Sequence, residues 1–218
     1  MSLAVDQVRL AAELIALGEI SEHPSPVVTR VVFTEADLRG REYVNGLCRE
    51  AGLEIRQDAV GNTFATWAGS DRTLAPVGTG SHIDAIPNAG KYDGTAGVLG
   101  GLEAIRTLQR AGIRPRRSIE LVTFTSEEPT RFGIGCLGSR MLGGFLGAEV
   151  GQRLRDRDGV TLDDARTTTP VFMATSRVSR CLPDTFTPSR NCTLNKAPSS
   201  KPKIFLSASS KRSPRLPG

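Results

Sequence analysis

Three short segments, Gly80-Ser81-His82-Ile83-Asp84, Lys91-Tyr92-Asp93-Gly94 and Ser126-Glu127-Glu128, bring together a histidine, two aspartates and two glutamates. An imidazole nitrogen and several carboxylate oxygens are the donors that zinc, manganese or cobalt ions take. Asp84, two residues beyond His82, is spaced to accept the second imidazole N–H and fix the tautomer. Asp93 can turn one oxygen toward each of two ions, and a pair about 3.5–4 Å apart holds a water or hydroxide between them. The adjacent Glu127 and Glu128 need not share a role: one can ligate while the other takes a proton from that water and passes it to a leaving nitrogen. Each segment alone has a plainer reading. His-x-Asp is an ordinary surface pair, Asp93 a helix N-cap, and Glu127-Glu128 a solvated turn. The metal reading rests on all three lying in order at successive element ends.

Those ends come from the hydrophobic pattern. Leu3, Val5, Val8, Leu10, Ala11, Leu14 and Ile15 recur at helical spacing, which predicts a helix over about 3–17. Thr34 is placed to cap a second helix that runs to Glu50 and stops at Gly52. Leu53–Asp58 and Thr63–Trp67 read as strands around a Gly61-Asn62 turn. Pro76–Gly80 reads as a short buried strand leading into His82, and Ile119–Thr125 as another leading into Glu127. Between them Thr95–Ala111 carries Val98, Leu99, Leu102, Ile105 and Leu108 on one helical face. Gly138–Leu146 also reads as helix. Strand, helix and strand at this spacing make a βαβ unit, so the expected fold is α/β, a mixed but largely parallel sheet flanked by helices. Ligands in such sheets bind outside the carboxyl ends of the strands, where these residues fall. Gly90, Gly94, Gly97 and Gly100-Gly101 would let backbone approach closely around Asp93.

Composition divides the chain. From Ser176 to Gly218 there are nine Lys and Arg against one Asp, with nine serines and six prolines, so the preceding 175 residues hold 19 basic against 22 acidic side chains. The pI near 9.3 belongs to this tail. We expect a body over 1–165 and an atypical basic segment over 166–218, disordered because it cannot bury enough apolar surface. Scattered Lys and Arg without interleaved aromatics do not make a nucleic-acid surface. Cys48, Cys136, Cys181 and Cys192 show no CxxC spacing and suit neither a zinc ribbon nor a disulfide framework. No apolar run approaches a membrane span, and no secretory signal is visible at the N-terminus. The two histidines are His23, expected in a loop without a role, and His82, so no histidine follows Glu128.

GTGSHIDAIPNAGKYDGTAGVLGGLEAI and FTSEEPTRFGIGCLGSRMLGG, with GNTFATWAG upstream, resemble the di-metal amidohydrolase and aminopeptidase superfamily. Within it the chain is most similar to the branch of allantoate amidohydrolases, ureidoglycolate hydrolases and N-carbamoyl-L-amino acid hydrolases, through Glu127-Glu128, Arg131-Phe132 and Gly138-Ser139-Arg140. The likeness is strongest to the plant ureidoglycolate hydrolases and covers about residues 3–165. It implies the N-terminal part of a zinc-peptidase-like catalytic domain. It implies His82 as ligand of one metal, Asp93 as bridging ligand, Glu128 as ligand of the second metal, Glu127 as general base and Asp84 as the orienter of His82. It implies two divalent ions, Mn2+ first, with Zn2+, Co2+ and Ni2+ as alternatives. The implied reaction hydrolyses a small ureido substrate, ureidoglycolate, to glyoxylate, ammonia and carbon dioxide, with allantoate or an N-carbamoyl-L-amino acid as the alternative. Plant relatives imply the endoplasmic reticulum, and otherwise the cytoplasm. The family's further histidine ligands, and its lid domain that dimerises and holds the substrate carboxylate, have no counterpart here. The resemblance therefore implies a truncated form with weakened metal binding, either a hydrolase fragment or a non-catalytic isoform that associates with a full-length subunit.

Overall fold

A computed structural model describes residues 3–168. The basic segment from Ser176, with Cys181 and Cys192, lies outside the described residues.

α1 (Gln7–Glu19) starts later than its apolar pattern suggests. Asp6 sets the start: its side chain accepts the Arg9 N–H as N-cap, and Leu3 to Val5 precede the helix. Of the expected stripe, Leu10 and Leu14 pack toward the core, whereas Val8 and Ile15 face outward. β1 (Val28–Arg30) leads into α2 (Glu35–Glu50), which has Thr34 as its N-cap and ends before Gly52, as its sequence signals require.

β2 (Glu54–Gln57) and β3 (Thr63–Trp67) form an antiparallel hairpin. β4 (Val77–His82) is followed by β5 (Ala85–Ala89), α3 (Thr95–Arg110) and β6 (Ile119–Phe124). The main sheet has the order β2-β3-β6-β4, and β1 pairs with β5 in a separate ribbon. The sheet is mixed, and among the described residues the expected parallel character is confined to one contact, β4 with β6. That is the pair joined through a crossover helix. β2 and β3 are linked by a turn too short for a crossover and must run antiparallel, and β3 also meets β6 antiparallel. β4 is not the buried strand its position suggested: Val77 is 53% exposed, because β4 is the edge of the described sheet. β1 and β5 escape the sequence pattern, being short and, in β5, interrupted by Pro87.

After the site come α4 (Leu137–Leu142), α5 (Val150–Arg153) and α6 (Leu162–Thr167, capped by Thr161). α4 is shorter than its pattern predicted, since the chain turns at Gly143-Gly144. Two apolar cores result. One packs Val98, Leu99, Leu102 and Ile105 of α3 against Leu17, Val44, Ile83 and Leu121. The other gathers Val32, Phe33, Val60, Phe132, Leu137, Met141 and Leu162. The Glu127-Glu128 segment runs between them along the chain.

Candidate metal centre

Parallel pairing sets His82 opposite Phe124, so β4 and β6 end side by side and release their following residues into one crevice. Ile83 is fully buried in the main core and pins the link between His82 and Asp84. Ser126, at φ 52, turns the chain after β6 so that Glu127 and Glu128 follow.

His82 Nδ1 lies 2.9 Å from the Asp84 backbone carbonyl. A carbonyl can only accept, so Nδ1 presents its proton to it, and Nε2 is the ring atom turned toward the carboxylates. The Asp84 carboxylate is further from Nδ1, at 3.6 Å. It spends its oxygens instead on the backbone N–H of Glu127, at 3.3 Å, and of Glu128, at 3.0 Å. Asp84 therefore ties both halves of the cluster together, the histidine through its main chain and the glutamates through its side chain.

On the other side of the ring, Nε2 stands 3.6 Å from Glu127 Oε2 and 4.0 Å from Asp93 Oδ1. Two ligands each about 2.1 Å from a common ion can stand at most about 4.2 Å apart, so both spacings suit coordination. His82, Glu127 and Glu128 offer ligand atoms within 4.8 Å of one another, and Asp93 is not part of that trio. Asp93 is half-exposed and does not cap α3: the N-cap is Gly94, with no side-chain bond.

Four carboxylates around one imidazole make an excess of negative charge. Burial alone would lower the His82 pKa, but Asp84 and Glu127 outweigh it and push it up to about 9. Burial raises the Glu128 carboxyl, and Glu127, Asp93 and Asp84 raise it further against His82. The His82 shift reports the field of these carboxylates, which a divalent cation would neutralise. The donor set, one imidazole and carboxylates, fits Mn2+, Zn2+ or Co2+.

Sequence reasoning missed the groups behind this crevice. Arg30 is fully buried and donates to carbonyls alone: those of Leu17, of Ile20 at 2.9 Å and of Ile83 at 2.8 Å. Burial lowers its pKa to about 10 against the pull of Asp37 and Asp84. It braces the link between His82 and Asp84, and no pattern in Val28-Thr29-Arg30 announces it. Cys136, exposed, donates its thiol to Glu127 Oε1 at 3.3 Å, whereas Cys48 is a core residue whose thiol burial pushes up to about 11. Among the expected glycines, Gly94 and Gly97 do meet close neighbours, while Gly90 and Gly100 face open space. A groove of about 410 Å³ on α2, lined by Arg39, Glu42, Tyr43 and Glu50, shares no residue with the cluster. Among the described residues, no helix is long and apolar enough to cross a membrane.

Residues 78–168 match the model of Peptidase family M20/M25/M40. The chain is 56% identical over 143 residues to a ureidoglycolate hydrolase of Arabidopsis thaliana, covering 66% of this chain and 30% of that protein. It is 40% identical over 157 residues to an N-carbamoyl-L-amino acid amidohydrolase of Geobacillus stearothermophilus, covering 72% and 38%. A crystal structure of AtUAH in complex with glyoxylate superposes with a TM-score of 0.73 at 50% identity, over 75% of this chain and 39% of that one. The chain thus spans about a third of the length of the curated relatives it matches. Residues 78–168 are thus similar to Peptidase family M20/M25/M40, and the chain resembles, over part of their length, ureidoglycolate and N-carbamoyl amidohydrolases.

Proposed function

We propose that this chain carries the N-terminal part of a metal-dependent amidohydrolase site for small ureido compounds, with ureidoglycolate as substrate and glyoxylate, ammonia and carbon dioxide as products. The convergence of His82, Glu127 and Glu128 past the ends of β4 and β6 is the observation that carries this reading. Identity to ureidoglycolate hydrolases, 56% and 50%, exceeds the 34–40% to N-carbamoyl amidohydrolases and the 35% to an allantoate amidohydrolase.

His82 Nε2 would hold one divalent ion and a Glu128 oxygen the second, with Asp93, 4.0 Å from the ring, as the carboxylate that would serve both. A bound ion supplies Lewis acidity, polarising the ureido carbonyl and lowering the pKa of water. Asp84 keeps His82 in the Nδ1–H tautomer and holds the Glu127 and Glu128 backbone in place. Glu127 is the general base: its Oε2 faces the ring across 3.6 Å, and its other oxygen is held by the Cys136 thiol. It takes the proton of the attacking water and returns it to the departing nitrogen.

Ammonia release from ureidoglycolate by the purified chain in Mn2+ tests this. Glu127→Ala is expected to lower the rate by about 10²–10⁴-fold, the usual contribution of a general base. Release from allantoate or an N-carbamoyl amino acid instead would change the substrate. Release from none of the three would overturn catalysis by these 218 residues. Association with a longer subunit, seen by co-purification, would then be the reading left standing.

A further inference from the structure

Asn62 lies in the turn between β2 and β3, in the Gly61-Asn62-Thr63 run that no part of the proposed chemistry uses. It is fully buried, as are Thr125 and Ser126. Its Oδ1 accepts the Thr125 backbone N–H at 2.9 Å. Its Nδ2 donates to the Gly138 carbonyl at 3.1 Å and to Asp58 Oδ2 at 2.7 Å. Both ends of the amide are therefore committed.

The position of these bonds gives them meaning. The β3–β6 ladder ends with Thr63 opposite Thr123. Thr125, two residues further, has no strand partner on that flank, and the Asn62 side chain supplies the acceptor that the ladder no longer provides. On the other flank, Thr125, Ser126 and Glu127 offer their carbonyls to the N–H groups of Gly138, at 2.9 Å, Leu137, at 2.9 Å, and Cys136, at 2.7 Å. Asn62 thus bridges the two backbone runs that carry the Glu127 turn. Asp58 anchors it from behind, accepting the N–H of Val60, Gly61 and Asn62 on one oxygen. Arg41 adds bonds to the Gly61 carbonyl at 2.9 Å and Thr125 Oγ1 at 3.4 Å. The fit is tight: a Cβ at Gly138 would stand 2.2 Å from Asn62 Oδ1.

We propose that Asn62 is a positioning residue for the metal centre, acting through Thr125 to fix the turn that presents Glu127 and Glu128. The proposal rests on the metal-centre reading for its function but not for its geometry, and the experiment separates the two. Asn62→Ala and the milder Asn62→Ser are compared with Ile105→Val, a core change remote from the turn, using whichever Asn62 variant folds with a similar thermal midpoint. Amide hydrogen exchange of the full chain is read first. Loss of the side-chain bond is expected to speed exchange at Thr125, Glu127 and Glu128 by about tenfold while Leu99 to Leu102 stay protected. Mn2+ titration, followed by the electron paramagnetic resonance of the free ion, is read second. The Asn62 variants are expected to bind about tenfold or more weakly, and Ile105→Val as wild type.

Exchange at 125–128 unchanged, or raised equally along the whole chain, overturns the proposal. Equal loss of Mn2+ affinity in Ile105→Val reduces Asn62 to general stability and also overturns it. A wild-type chain that binds no Mn2+ counts against the metal-centre reading alone, and the exchange pattern still decides whether Asn62 fixes the turn.

Discussion

Gly94→Ala is expected to weaken divalent-metal binding by about 100-fold or more, the upper end of what displacing a ligand's support does. Gly94 sits at φ 66, directly against the histidine. A Cβ built there would stand 2.6 Å from His82 Nε2, 2.6 Å from its Cε1 and 2.5 Å from the His82 carbonyl oxygen. The methyl group would occupy the space beside the nitrogen proposed to bind the ion. The ring cannot simply rotate away, because Nδ1 is held by the Asp84 carbonyl at 2.9 Å. An L-residue in this left-handed conformation also costs about 1–2 kcal/mol. The turn would have to open, carrying the start of α3 and Asp93 with it. A Mn2+ titration of wild type and variant reads the effect, with far-UV circular dichroism to establish that the helices remain. Wild-type affinity in a folded Gly94→Ala chain would remove His82 Nε2 from the ligand set.

Glu103→Ala is expected to cost about 3 kcal/mol of stability, the low end for breaking a buried ion pair, since its arginine partners can reach water. Its side chain is 1% exposed in the middle of α3. One oxygen accepts the Asp6 N–H at 2.9 Å, Arg110 Nη2 at 2.8 Å and Thr107 Oγ1 at 3.2 Å. The other accepts Arg9 Nε at 3.0 Å and Nη2 at 2.6 Å. This single carboxylate holds the start of α1 onto α3. Burial alone would raise its pKa, yet the bonds from Arg110, Asp6 and Arg9 carry it down to about 2. A carboxylate held below its unfolded value of about 4.3 adds stability above that pH and loses it as pH falls toward the folded value. Thermal midpoints between pH 4.5 and 2 should therefore fall more steeply for wild type than for Glu103→Ala. At neutral pH the variant should melt about 6–12 °C lower, at 2–4 °C per kcal/mol for a chain of this size. Parallel acid profiles would show that Glu103 is not the group being titrated.

What could be read from the sequence follows from where periodicity is strong. α2, the β2–β3 hairpin and α3 are legible because each has a long pattern with a cap or turn at its ends. α1 misleads at its start because Leu3 and Val5 extend an apolar rhythm that Asp6 interrupts by capping. α6 is hidden because it lies where composition begins to change, although Thr161 and Asp164 cap it in an ordinary way. In the site, His82, Glu127 and Glu128 were legible as donor types at strand ends, and the structure gathers them. The Asp84 carboxylate holding two backbone N–H groups was not, since nothing in a His-x-Asp run tells a ring partner from a backbone one. Arg30 and Asn62 stayed invisible for the same reason. Their partners are mostly backbone groups, which have no letter in the sequence.

The open flank of β4 reaches beyond the site that the strand supports. Val77-Gly78-Thr79-Gly80-Ser81-His82 carries no lysine, no proline and no acidic residue, and its outer edge has no strand beside it among the described residues. Lysine, proline and bulges are the devices by which sheet edges avoid recruiting further strands. Among the described residues this edge has none of them, so it is the side of the sheet on which a further strand, from this chain or another, could pair.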